Sequence, residues 1–176
     1  MARNKYVKDY RIVETVNERG RIKAGYEYIG DAWYYVSKAA AAAAGKRALA
    51  LSVFAWLFFI GAMLPESGAM RTIYVSLPFA FTALPLGMLT DLALTTCFRK
   101  EPLEHRHADR LENRYPPVCL AAAVLPAIAL VGELVRVLAG GSAGKGDLLF
   151  SLGAALTLVC AALAFSLRKS FAVRKG

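Results

Sequence analysis

A chain of 176 residues that is 57% hydrophobic, with a mean hydropathy of +0.41, is too apolar for a water-soluble globule of its size. Its formal charge of +9 would suit nucleic acid in a soluble protein, but the basic residues gather in a few connecting segments. There they act as a topology signal and as contacts to anionic lipid, so the lipid bilayer is expected as a partner and nucleic acid is not.

The first 46 residues form a segment of their own. Tyr10 to Val16 and Arg21 to Ile29 are β-branched and aromatic runs separated by Asn17-Glu-Arg-Gly20, a hairpin signal with Gly20 suited to a left-handed position. A four-residue loop sets Glu14 opposite Lys23 and puts Arg11, Val13, Thr15, Ile22, Ala24, Tyr26 and Tyr28 on one face, a register that a bulge at Gly20 would shift. A lone hairpin is marginal in water, so this one, spanning about 10–29, must lean on its own bundle, on lipid, on a second copy or on another subunit. After Gly30, Asp31 is placed to cap an interfacial helix over about 32–45, with Trp33, Tyr34 and Tyr35 at headgroup level ahead of Lys46 and Arg47.

Four apolar stretches follow, giving spans at about 47–64, 72–96, 118–138 and 148–167 within a 47–168 transmembrane domain. Crossing hydrocarbon takes about 20 apolar residues, so the first stretch is short unless it extends back through Ala39 to Ala44. Pro78 and Pro85 in the second span each remove a donor, freeing the carbonyls of Tyr74 and Phe81 and kinking the helix on one side. The loop 99–116 is dense in charge and holds one short helix from Pro102 to Asn113, which Pro116 and Pro117 stop before the third span. A basic tail over 169–176 closes the sequence.

Lys and Arg concentrate before the first span, in the middle loop and after the fourth, while 65–71 and 139–147 hold only Arg71 and Lys145. The positive-inside rule therefore places both termini and the middle loop in the cytoplasm, making a multi-pass protein of the plasma membrane. The first apolar run begins too far along the sequence for a cleavable leader.

Charged groups within spans are the candidate polar site: Asp91 with Thr95 one turn on, and Glu133 with Arg136 three residues later. Asp91 lies near the cytoplasmic boundary, where Arg47 or Arg168 is a ready partner; Glu133 and Arg136 lie toward the outer side and read as an intrahelical pair. Asp91 and Glu133 thus sit near opposite faces, which excludes a paired-carboxylate mechanism between them. His105 and His107 are weak metal candidates, because an H-x-H pair on a helix points its rings apart. Cys97, Cys119 and Cys160 form no CxxC and none lies in an outer loop, which excludes a thiol oxidase. No catalytic motif and no cofactor motif is present, so no enzyme is expected.

Small residues line the third and fourth spans, leaving room for a homo-oligomer or for other membrane subunits. The expected function is a non-enzymatic scaffold or accessory subunit of a membrane complex, joined through the hairpin. The alternative is a small oligomeric cation- or proton-coupled transporter or channel using Asp91 and Glu133.

Overall fold

Runs of Ala, Leu, Phe and Val with few polar interruptions satisfy their backbone internally, and here they do so as helices. The computed structural model describes residues 7–16, 22–98, 102–142 and 144–176. In chain order these carry β1 (Tyr10–Val16), β2 (Ile22–Tyr28), β3 (Trp33–Tyr35), α1 (Lys38–Met63), α2 (Gly68–Arg71), α3 (Ile73–Phe81), α4 (Ala83–Phe98), α5 (His105–Asp109), α6 (Tyr115–Leu138), α7 (Lys145–Ser166) and β4 (Val173–Lys175). Four of the helical stretches are long and apolar enough to cross a membrane: α1, α3 with α4, α5 through α6, and α7 with its 3₁₀ extension. That arrangement is compatible with a multi-pass membrane protein.

The packing is small inside and large outside. Ala41, Ala44, Ala48, Ala55 and Ala62 of α1 are buried, as are Ala154, Ala161 and Ala164 of α7, while Leu57, Ile60, Leu134 and Leu163 are exposed. Small inward residues let helix backbones approach, and large outward ones suit an apolar surround. α1 and α7 approach closely at Gly153, where an added Cβ would lie 2.7 Å from the Ala62 Cβ and 2.9 Å from the Phe58 carbonyl oxygen. At mid-bundle the rings of Phe59, Phe79 and Phe150 join α1, α3 and α7, with successive centroids 4.9 Å apart.

Several elements differ from expectation. α1 begins at Lys38, so the alanine run belongs to the first span, and no separate interfacial helix forms. Ser37 caps it, accepting from the Ala40 N–H at 3.4 Å. Trp33, Tyr34 and Tyr35, whose side chains favour extended backbone, are instead a strand. They pair antiparallel with β4, Trp33 opposite Lys175 and Tyr35 opposite Val173, so the basic tail is a strand as well. Asp31 does not cap a helix; its carboxylate meets Lys175 at 2.6 Å.

The hairpin exists, with Glu14 opposite Ala24 rather than Lys23. One further residue between the strands moves the register by one and reverses which residues share a face. Tyr10 and Ile12 therefore stand with Tyr26 and Tyr28, and Arg11 and Val13 lie on the other side. Gly20 itself falls outside the described residues.

The second span is one helical stretch with a local interruption at Thr82, between α3 and α4. Pro78 sits within α3, and the interruption falls at Thr82, three residues before Pro85. Pro85 supplies no N–H to Phe81 and crowds its carbonyl, while the Thr82 hydroxyl donates to the Pro78 carbonyl at 3.2 Å. In the middle segment Pro116 and Pro117 stop nothing, because helix runs from His105 to Leu138 through a π-helical turn over Arg110–Arg114. The prolines occupy the first turn of α6, and the wider turn before them, closed by Tyr115 N–H donating to the Arg110 carbonyl, accommodates their missing donors.

Candidate functional site

The end of the bundle away from the two termini carries an ionic clasp. Arg136, in the last turn of α6, donates from Nε to Glu133 Oε2 at 2.8 Å and from Nη2 to Glu133 Oε1 at 2.7 Å. The same Nη2 lies 2.9 Å from Asp147 Oδ2 in the first turn of α7, and Nη1 donates to the Ser142 carbonyl at 3.2 Å. Asp147 also accepts backbone N–H groups from Ala69 at 3.0 Å and Gly144 at 2.9 Å. Glu133 is 4% exposed and Asp147 6%. The clasp ties α6 to α7 and holds both connections at this end, and the backbone of Glu66 crosses α7 where any Cβ on residue 146 would collide with it.

Glu133 and Arg136 are thus the expected intrahelical pair, and Asp147 is the member that sequence reading missed. Its signal was there, since an Asp three residues after Gly144 at a helix start is well placed to accept the cap N–H. All four carboxylate oxygens accept hydrogen bonds, an arrangement suited to holding loops rather than passing a proton or cation. A groove of about 440 Å³ runs beside the clasp, with Glu133 and Asp147 in its wall together with Leu130, Leu134, Val137 and Leu148.

Asp91 is at the other end, near the termini. Its partner is Arg110, at 3.8 Å, rather than Arg47 or Arg168, and the Asp91 side chain is 69% exposed. Thr95 donates to the Asp91 backbone carbonyl at 2.8 Å and so does not serve the carboxylate. Thr90, beside it, accepts from Trp56 Nε1 at 3.1 Å and joins α4 to α1. Asp91 and Glu133 are not brought together.

His105 and His107 belong to the surface on which the hairpin docks. Tyr10 donates to Glu104 Oε2 at 2.9 Å, and Tyr28 accepts from the His105 N–H at 2.8 Å while donating to the Asp31 carbonyl at 2.8 Å. His105 Nδ1 lies 3.1 Å from Asp9 Oδ2 and its ring stacks on Trp33, with centroids 5.7 Å apart. His107 Nε2 is 3.5 Å from Glu104 Oε2. Trp33 and Leu103 exchange backbone hydrogen bonds of 3.0 and 2.8 Å, so β3 lies between the middle loop and β4. Burial, and then the Glu104 carboxylate that accepts its hydrogen bond, push the Tyr10 phenol above its usual value. Each histidine faces a different carboxylate, and among the described residues no set of three or more His, Cys, Asp or Glu side chains is gathered for a metal ion.

Beyond the docked rung of Tyr10 and Tyr28, the next cross-strand pair on that face is Ile12 with Tyr26. These two are 65% and 78% exposed. Comparison with protein-family models, curated proteins and solved structures finds no match to this chain.

Proposed function

We propose that the chain is a non-enzymatic scaffold or accessory subunit of a membrane complex, with four spans in the plasma membrane, both termini in the cytoplasm, and the hairpin as its partner-binding element. The observation that carries this reading is the clamped hairpin, whose base is fixed by Tyr10, Tyr28 and Asp9 while Ile12 and Tyr26 stand exposed one rung further out. A two-stranded hairpin alone would be ordered only on binding; one held by its own bundle meets a partner already shaped, which removes part of the entropic cost of association. An exposed tyrosine, Tyr26, beside an exposed isoleucine on such an element suits an interface core. The distribution of Lys and Arg supports the orientation.

The transporter alternative has less behind it, since both Glu133 oxygens are engaged by Arg136 and Asp91 lies at the other end of the bundle. The test is the mass of the assembly extracted gently from native membranes with the chain tagged. A hetero-complex that dissociates when Ile12 and Tyr26 are both changed to Ser supports the proposal. A lone chain or a homo-oligomer, unaffected by those changes, refutes it.

A further inference from the structure

The pair formed by Asp91 and Arg110 borders a groove of about 300 Å³ lined by Gly87, Met88, Asp91, Leu92, Arg110 and Arg114. Its two parts differ in chemistry. Gly87 and Met88 give an apolar trough along α4, with Met88 exposed and open space over Gly87, and the buried Leu92 closes it beside Asp91. Above it, Arg110 and Arg114 mark the two ends of the π-helical turn, one turn apart, so both side chains rise from one side of the segment beside the Asp91 carboxylate.

Depth fits the same division. Asp91 is at most about 27 Å of helix from Ile73, and Arg114 about 36 Å from Leu138, against a hydrocarbon thickness of about 30 Å. Gly87 and Met88 therefore fall at acyl-chain level, Asp91 and Leu92 close to the boundary and the two arginines beyond it, on the membrane-spanning reading proposed above. The charges are weakly committed to each other. At 3.8 Å, with 69% of the Asp91 side chain and 27% of the Arg110 side chain exposed, the pair is of the kind that contributes little and separates readily.

We infer that this groove binds the headgroup of a phospholipid bearing a primary ammonium, with phosphate on Arg110 and Arg114, the ammonium on Asp91, and one acyl chain along Gly87 and Met88. Guanidinium forks suit phosphate oxygens, and a carboxylate one headgroup length away suits an N–H donor. A purely anionic headgroup gains the arginines but offers Asp91 no cation. A choline headgroup has the phosphate, yet its quaternary nitrogen has no hydrogen to donate. The groove thus ranks phosphoethanolamine lipids above phosphoglycerol and phosphocholine lipids.

The experiment is native mass spectrometry of the full chain released from nanodiscs of phosphocholine lipid containing equal small fractions of phosphoethanolamine and phosphoglycerol lipid. One phosphoethanolamine lipid retained per chain is expected. Asp91→Asn is expected to cut the preference for it over phosphoglycerol lipid by about tenfold, the loss of one charge-assisted hydrogen bond, with Asp91→Glu restoring most of it. Arg110→Gln with Arg114→Gln is expected to abolish retention of both. Equal retention of all three lipids, or an unchanged preference in Asp91→Asn, overturns the site. Soluble phosphoethanolamine displacing the lipid at equal concentration overturns the acyl trough and leaves a site for a free phosphate compound. Asp91 is exposed, so its variants are expected to keep the wild-type melting temperature. Extraction of the chain into the aqueous phase by alkaline carbonate would overturn the membrane reading itself; an embedded chain with no lipid preference overturns only the site.

Discussion

Replacing Arg136 with Leu removes one guanidinium and strands two carboxylates. In the native clasp that group makes two bonds to Glu133, one to Asp147 and one to the Ser142 carbonyl. After the change Glu133 and Asp147 remain almost wholly buried, with like charge and no cation between them. Breaking a buried pair in this way costs about 3–5 kcal/mol; since the clasp lies at the end of the bundle beside an open groove, the lower figure of about 3 kcal/mol applies. For a chain of this length that corresponds to a fall of about 6–12 °C in melting temperature. The assay is thermal unfolding in detergent, followed by loss of helical circular dichroism, on four proteins: wild type, Arg136→Leu, Glu133→Gln and the double variant. The double variant should lie above the sum of the singles by about 1–3 kcal/mol, because Glu133→Gln removes one of the charges that the Leu variant leaves stranded. Arg136→Lys should recover only part of the loss, as an ammonium cannot fork across both Glu133 oxygens. A melting temperature for Arg136→Leu within a degree of wild type, or strict additivity in the double variant, would refute the clasp as a stabilising element.

Gly153→Val should force α1 and α7 apart at Ala62 and Phe58, costing about 1–3 kcal/mol, whereas Gly61→Ala, with open space at its Cβ, should be neutral or slightly stabilising; comparing the two melting curves checks this. The Tyr10 phenol is held above its usual value, so its contribution to hairpin docking is complete below about pH 10 and is lost as pH rises through the higher folded value. Proteolytic clipping of the hairpin measured from pH 8 to 12 should therefore accelerate only in the alkaline range, and acceleration already at pH 8 would contradict the assignment. Tyr10→Phe should increase clipping about fivefold at neutral pH, the equivalent of about 1 kcal/mol for one lost hydrogen bond. Ser37→Ala should cost about 1 kcal/mol locally, seen as faster amide exchange across the first turn of α1 with the rest of the bundle unchanged.

The long helices were readable because the length and continuity of an apolar run are local properties. What escaped the reading depends on partners far away in the chain. Trp33, Tyr34 and Tyr35 could be headgroup aromatics on a helix or a strand, and the distant Val173–Lys175 and Leu103 decide for the strand. Asp147 looked like the edge of a loop until Arg136 and the Ala69 N–H converged on it. Glu133 and Arg136, three residues apart on one helix, were paired correctly because helical geometry alone brings them together. Asp91 was expected to meet a basic residue near the interface, such as Arg47 or Arg168, and does so, but the residue is Arg110, which lies in a different segment, ahead of the third span. The hairpin was recognised by composition, while its register turned on a single residue between the strands.

The sheet of β3 with β4 also sets an order of events during synthesis. β3 leaves the ribosome before any of the long helices, and its partner only after all of them. At about 5–20 residues per second, the wait between Tyr35 and Val173 is roughly 7–28 s. Throughout that time one edge of β3 is open to chaperones, or to a strand from another subunit that arrives first. Until Val173–Lys175 arrives, β3 has only its bridge to Leu103, and the small sheet that seals this end of the bundle closes after every long helix has been made.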